Sequence, residues 1–164
     1  MPRRSTTSKF GPRKKYSLCR TSLGTVTTTG VAPALGAQAS VAVVSAAAAQ
    51  GKRKCKNFDI NLAVQQAAGV QQALIYYALV YVPAGSTASA ISNAAATEFY
   101  TPGSNVLAAG VYDCDEGTGF RVRTRLARNL NAGDEIQLVM RSSSIAGNQQ
   151  IVLQGVVSYV VAYN

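Results

Sequence analysis

KCKNFDINLAV (residues 54–64) decides the fold. Phe58, Ile60, Leu62 and Val64 fall on one side of an extended chain, with Asp59 and Asn61 on the other. Strand side chains alternate between faces, so this period of two predicts a half-buried antiparallel strand with one dry face and one wet one. FRVRTRL (120–126) repeats the pattern. Phe120, Val122, Thr124 and Leu126 share one face, and Arg121, Arg123 and Arg125 share the other.

LIYYALVYV (74–82) differs, being apolar on both faces and closed by Pro83 and Gly85. It reads as a central strand covered on both sides. Further strands are expected at 25–29, 40–45, 106–112 and 150–163, and another strand carries Ile136, Leu138 and Met140 on its inner face. A short helix is expected around Ala90–Thr97, and the Ala run at 46–49 suits either a strand end or a helical turn. About eight short strands at intervals of about ten residues predict an all-β antiparallel sandwich or barrel.

The chain has 164 residues and a net charge of +9, unevenly placed. Residues 1–56 hold eleven Lys/Arg and no acid, whereas residues 57–164 hold five Arg against seven Asp/Glu. The first third thus carries +11 and the rest −2. Residues 1–22 form a basic arm, punctuated by Pro2, Gly11 and Pro12, with too little apolar surface to offset the entropy of ordering. The arm is expected to be disordered until a polyanion orders it, and residues 23–164 to form the folded domain.

Composition excludes most catalysis. Histidine is absent, so Ser-His-Asp and Cys-His arrangements cannot form. Every lysine lies at or before Lys56, which leaves none in the body of the folded domain for a Ser-Lys pair. Neither a phosphate-cradling Gly-Lys-Ser/Thr loop nor a dinucleotide-binding glycine turn occurs. Cys19, Cys55 and Cys114 lack metal-ligand or redox spacing, so buried or unpaired thiols in a reducing setting are expected. Asp113, Asp115 and Glu116 surround Cys114, in a pattern open to a hard cation or to a solvated turn bent by Gly117 and Gly119. Asp134-Glu135 reads as rim charge. No cofactor or metal is expected. The start, MPRRSTTSK, lacks the apolar core of a secretory leader. The longest apolar run, 39–49, is too short for a bilayer, so no membrane insertion is expected.

The cations are the candidate functional residues. Arg3, Arg4, Lys9, Arg13, Lys14, Lys15 and Arg20 are dense enough to neutralise phosphates by releasing counterions, an affinity that is salt-dependent and indifferent to sequence. Phe10 and Tyr16 lie among them and can stack on unpaired bases. Pro12-Arg-Lys-Lys also suits a nuclear-import signal. Lys52, Arg53, Lys54 and Lys56 lead directly into a strand, where they either extend the basic surface or guard a sheet edge. Arg121, Arg123, Arg125 and Arg128 suit phosphate binding or, preferentially, salt bridges at a subunit interface. The −2 charge of the domain argues against a nucleic-acid groove on it.

Four stretches resemble capsid proteins of small circular Rep-encoding single-stranded DNA (CRESS-DNA) viruses. They are YALVYVPAG (77–85), FYTPGSNVLAAG (99–110), FRVRTRLARNLNAGDEI (120–136) and GVVSYVV (155–161). The resemblance covers residues 52–164, and the arm matches in composition alone. It implies a single eight-stranded jelly roll and self-assembly into a small icosahedral T=1 shell of about 60 copies, a closed homo-oligomer. It further implies arms directed onto a packaged single-stranded DNA genome, a virion location, and passage through the host nucleus during assembly. This arm is less Arg-dense than in the best-known relatives, and the chain is short. A small or satellite RNA virus capsid shares the same physics, and a non-capsid single-strand-binding β-barrel protein is a further alternative. Val106, Leu107, Ile145 and Ile91 are candidates for burial between subunits.

Overall fold

A computed structural model describes residues 16–30, 35–48, 51–66, 73–143 and 150–163. Ile145 and residues 1–15 of the arm lie outside them. Nine strands follow in order: β1 (Ser17–Thr29), β2 (Ala39–Val44), β3 (Arg53–Gln66), β4 (Leu74–Val82), β5 (Val106–Asp113), β6 (Gly119–Thr124), β7 (Arg128–Leu130), β8 (Glu135–Ser142) and β9 (Gln150–Tyr163). One sheet has the order β1-β9-β3-β6, with β7 also paired to β3, and the other has the order β2-β8-β4-β5. All pairings are antiparallel. The chain changes sheet after β1, β2, β3, β5, β7 and β8, which is the connectivity of a jelly-roll sandwich.

The ninth strand adds no ninth position. β6 lies against Phe58–Ala63 of β3 and β7 against Arg53–Cys55, so the two are one strand position interrupted at residues 125–127. β1 begins at Ser17, and the sheet therefore takes in Ser17–Ser22, which composition places with the arm. Its register against β9 shifts at Gly24, where φ is +67° and a side chain would strain the backbone.

The two sheets meet through their inner faces. Phe58 and Ile60 of β3, Ile75 and Leu79 of β4, Ile136, Leu138 and Met140 of β8, and Ile151, Leu153 and Val157 of β9 are fully buried there. Each such side chain contributes about 1.5–3 kcal/mol by leaving water. Tyr77 and Tyr112 close one flank against Phe120, with ring centroids 5.1 and 4.6 Å away. Where the chain leaves β1 for β2, Gly36 donates to the Ser142 carbonyl at 2.9 Å. A Cβ on Gly36 would overlap the Thr29 carbonyl oxygen, so only glycine fits this crossing.

β4 is buried on its outer face as well. Ala78, Val80 and Val82, with Val139 of β8, are covered by Ile91 and Tyr100 from the β4–β5 connection, with Ala88 and Phe99 packed alongside. That connection contains no helix at 90–97. It is irregular chain, and its tip closes with Thr97 N–H on the Ala94 carbonyl at 3.3 Å. Alanine content favours a helix there, but Ile91 gains more by packing on the sheet than a short isolated helix could return. The Gln38 amide accepts from Ile91 N–H at 2.8 Å and donates to the Ser89 carbonyl at 3.0 Å. Arg141 donates to the carbonyls of Gly36 and Ile91 at 2.6 and 2.9 Å. Ile91 and Leu107 are therefore interior within one chain, and Val106 is half-buried against the same outer cluster, instead of waiting for a subunit contact.

Asp134 is also interior, at 4% exposure, and is not rim charge. Its carboxylate accepts from Tyr81 O–H at 2.9 Å, Ala84 N–H at 3.0 Å, Asn131 N–H at 2.7 Å and the Asn131 amide at 3.2 Å. Burial alone would raise its pKa, but these donors outweigh burial and hold it below the usual carboxylate value. Stability from a lowered carboxylate pKa is complete above the unfolded value and is lost as pH falls through the folded one. Asp134→Asn is expected to cost about 2–3 kcal/mol at neutral pH, since an amide repels the donors that a carboxylate accepts. The deficit should narrow at an acid pH below the ordinary carboxylate range, where Asp134 takes up its proton. Thermal unfolding of both proteins at the two pH values measures this.

Candidate nucleic-acid interface

The outer faces of the two sheets have opposite characters. The loop described above covers that of the second sheet with apolar side chains. No described residue outside the first sheet packs an apolar cluster onto its outer face. Strand register assigns that face row by row. Leu18 of β1, Val160 of β9 and Lys56 of β3 lie side by side. The next row is Arg20, Ser158, Asp59 and Arg123 across β1, β9, β3 and β6. Ser22, Val156, Asn61 and Arg121 follow, then Thr25, Gln154, Ala63 and Gly119. Lys54 sits opposite Ala162 and Asn129 at the other end.

Five cations thus stand on this face: Arg20, Lys54, Lys56, Arg121 and Arg123. Asp59 is the one acid among its described residues. Asp113, Asp115, Glu116, Asp134 and Glu135 belong to the ends and the second sheet, and Glu98 belongs to the covering loop. The −2 sum for residues 57–164 therefore conceals a strong separation of charge by face, and the argument it gave against a basic groove fails.

The cations do different work. Arg121 pairs with Asp59 through two hydrogen bonds, the Nε one at 2.6 Å. Bonding to Arg121 holds the Asp59 carboxyl below its ordinary value. Arg123 and Arg125 are exposed. Lys56 places its Nζ 4.0 Å from the centre of the Tyr16 ring, so Tyr16 and Lys56 tie the start of β1 to β3 across β9. Lys52 is exposed just ahead of β3, and Arg20 is exposed on β1.

Two of the candidate cations turn inward. Arg53 donates to the carbonyls of Ser45 at 3.1 Å and Asp134 at 3.3 Å, bracing the second sheet. Arg128 donates to the Ser104 carbonyl and lies over the Tyr81 ring at 5.3 Å. Arg3, Arg4, Lys9, Arg13, Lys14 and Lys15 lie outside the described residues.

Beside the cation rows lies a trough of about 840 Å³. Ala63 and Gly119 leave its floor low, and Asn61, Gln154, Thr25 and Val156 stand around it. The sequence reading missed it, because the strand alternation that reveals a face does not reveal that Ala63 of β3 and Gly119 of β6 fall side by side.

Other candidate chemistry resolves into structure. The Asp113 carboxylate accepts from Asp115 N–H at 3.0 Å and caps a 3₁₀ turn at Cys114–Glu116. Among the described residues no cluster of three metal-ligating side chains occurs. Burial pushes the Cys55 and Cys114 thiols up to about 11 each, away from thiolate chemistry. Among the described residues no helix is long and apolar enough to cross a membrane.

No known family matches the sequence, and no curated protein does. Solved structures give distant likenesses. A chain of Mud crab dicistrovirus is 13% identical, with a TM-score of 0.39 over 86% of this chain and 68% of that one. One of Desmodium yellow mottle tymovirus is 15% identical, with a TM-score of 0.41 over 92% and 90%. One of the Gx strain of infectious bursal disease virus is 8% identical, with a TM-score of 0.39 over 100% and 42%. At these values the functional argument rests on the residues.

The two kinds of cation separate experimentally. Arg53→Ala is expected to cost about 1.5 kcal/mol by removing the donor shared by the exposed Ser45 carbonyl and the part-buried Asp134 carbonyl. Lys54→Ala should stay within about 0.5 kcal/mol, and Lys56→Ala, which also gives up the Tyr16 contact, within about 1 kcal/mol. Denaturant unfolding of the three variants measures the difference.

Proposed function

We propose that this chain is a structural capsid protein that assembles into a closed shell around single-stranded nucleic acid. The observation that carries the reading is the placement of charge on the fold. A dense basic arm enters β1, and β1 lies on the sheet whose exposed face is basic. A shell subunit needs that polarity, one side toward a polyanion and another away from it. The role is structural, in keeping with a chain that lacks histidine and has no lysine beyond Lys56.

The arm cations Arg3, Arg4, Lys9, Arg13, Lys14, Lys15 and Arg20 neutralise phosphates, and Lys52, Lys54 and Lys56 continue the surface onto the domain. The shell is a small icosahedral one of about 60 copies, closed by symmetry so that each subunit surface meets its complement. Of the stripe, Arg125 lies beyond the end of β6 and is free to reach a neighbouring subunit, whereas Arg123 stands among the cation rows. The CRESS-DNA motif resemblance favours a circular DNA genome, a virion location and entry into the host nucleus. An RNA genome has the same electrostatics.

The purified full-length protein should elute as megadalton particles, visible by negative-stain electron microscopy. A stable monomer at high concentration would overturn the capsid reading. Removing residues 1–15 leaves β1 whole, and should cut the packaged nucleic acid while circular dichroism retains the β signature. The extracted nucleic acid is expected to be sensitive to DNase and resistant to RNase.

A further inference from the structure

We infer that the basic outer face of the first sheet is itself a single-strand binding site, one that holds an unstacked base as well as phosphates. The inference deepens the capsid reading and draws on it for the class of ligand. Rows of strand register place Arg20, Lys56, Arg123 and Arg121 across four adjacent strands. Neighbouring strands lie about 4.8 Å apart, so these side chains span roughly the reach of two to three nucleotides. Asp59 stands between them and binds Arg121, which keeps the face from being uniformly cationic.

The trough beside these rows provides what a phosphate-only surface lacks. It is an open, shallow depression of about 840 Å³, wide enough for a base to lie against it. Ala63 and Gly119 at its floor are exposed and carry a methyl group and no side chain, respectively. Gly119 can carry no side chain, because a Cβ there would overlap the Leu62 carbonyl oxygen. Val156 is 54% exposed and offers an apolar wall. Asn61 and Gln154 stand at the rim with both a donor and an acceptor each, suited to the polar edge of any base. A strand whose phosphates run along the arginines can turn one base down into this space. No aromatic lines the trough, so base identity is read weakly and the site suits many positions along a genome. Apart from Asp59, which Arg121 engages, the cations of this face have no acidic neighbour among the described residues, and a nucleic acid supplies the opposite charge.

The test uses the full-length chain, mixed with labelled oligothymidylate at high salt and dialysed to lower salt. Inorganic polyphosphate serves as a competitor without bases. Combining Arg20→Ala, Lys56→Ala and Arg123→Ala should flatten the dependence of log affinity on log salt by about 2, at ~0.7 per phosphate contact. Asp59→Asn should tighten binding, an effect that misfolding could not imitate. Ala63→Ile fills the trough at an exposed strand position. It should weaken oligothymidylate binding severalfold and leave polyphosphate binding unchanged. An unchanged salt slope in the triple variant, or no gain from Asp59→Asn, overturns the phosphate row. Equal oligothymidylate affinity for Ala63→Ile and wild type overturns the base site. Particles that form normally while these variants have no effect would refute this inference alone. The stated pattern in a protein that forms no particles would refute the capsid reading alone.

Discussion

The dry contact between the inner faces of the two sheets fixes everything else in this molecule. Phe58 and Ile60 on one side, and Leu79, Leu138 and Met140 on the other, have no contact with water. A strand that gives one face to this contact has a single face left for polar groups. In the first sheet, β3 and β6 spend that face on charge. In the second, β4 spends it on apolar side chains, and a sheet so made is stable only if something lies over it. The β4–β5 connection does so, held down by Gln38 and Arg141. Among the described residues, only the second sheet's outer face is covered in this way, and that of the first stays polar.

The features legible in the sequence are those with a local period. Alternation over 54–64 located β3, that over 120–126 located β6 although the strand stops at Thr124 and leaves Leu126 exposed, and the unbroken apolar run at 74–82 marked a strand dry on both sides. What escaped depends on partners far along the chain. Asp134 reads as charge at a turn because two of its donors, on Tyr81 and Ala84, come from fifty or more residues away. Ile91 reads as a loop residue because the surface it covers belongs to β4 and β8. Ser17–Ser22 reads as arm because an edge strand facing solvent carries little apolar signal, and its partners on β9 come 134 to 144 residues later.

Summing charge over a segment discards direction. Residues 57–164 are net acidic, yet their arginines at 121 and 123 join Arg20, Lys54 and Lys56 from the first third on one face. The candidate site is thus assembled from four strands distant in sequence. Its individual cations were legible, but their grouping was not. Arg53 and Arg128 show the reverse: they read as surface charge, and the fold uses them as braces.

The loop over the second sheet has a consequence for how this protein can change. Ser92 N–H donates to the Phe99 carbonyl at 3.0 Å, so the two ends of the segment between them are already held together. Residues 93–98 beyond that clasp are exposed, and none belongs to either apolar cluster. Lengthening a closed loop costs little, about 0.6 kcal/mol per doubling. New sequence can enter there without disturbing Ile91, Phe99 or Tyr100. The clasp therefore separates a packed anchorage from an exposed tip, and makes the tip a natural place for inserted sequence or a grafted epitope.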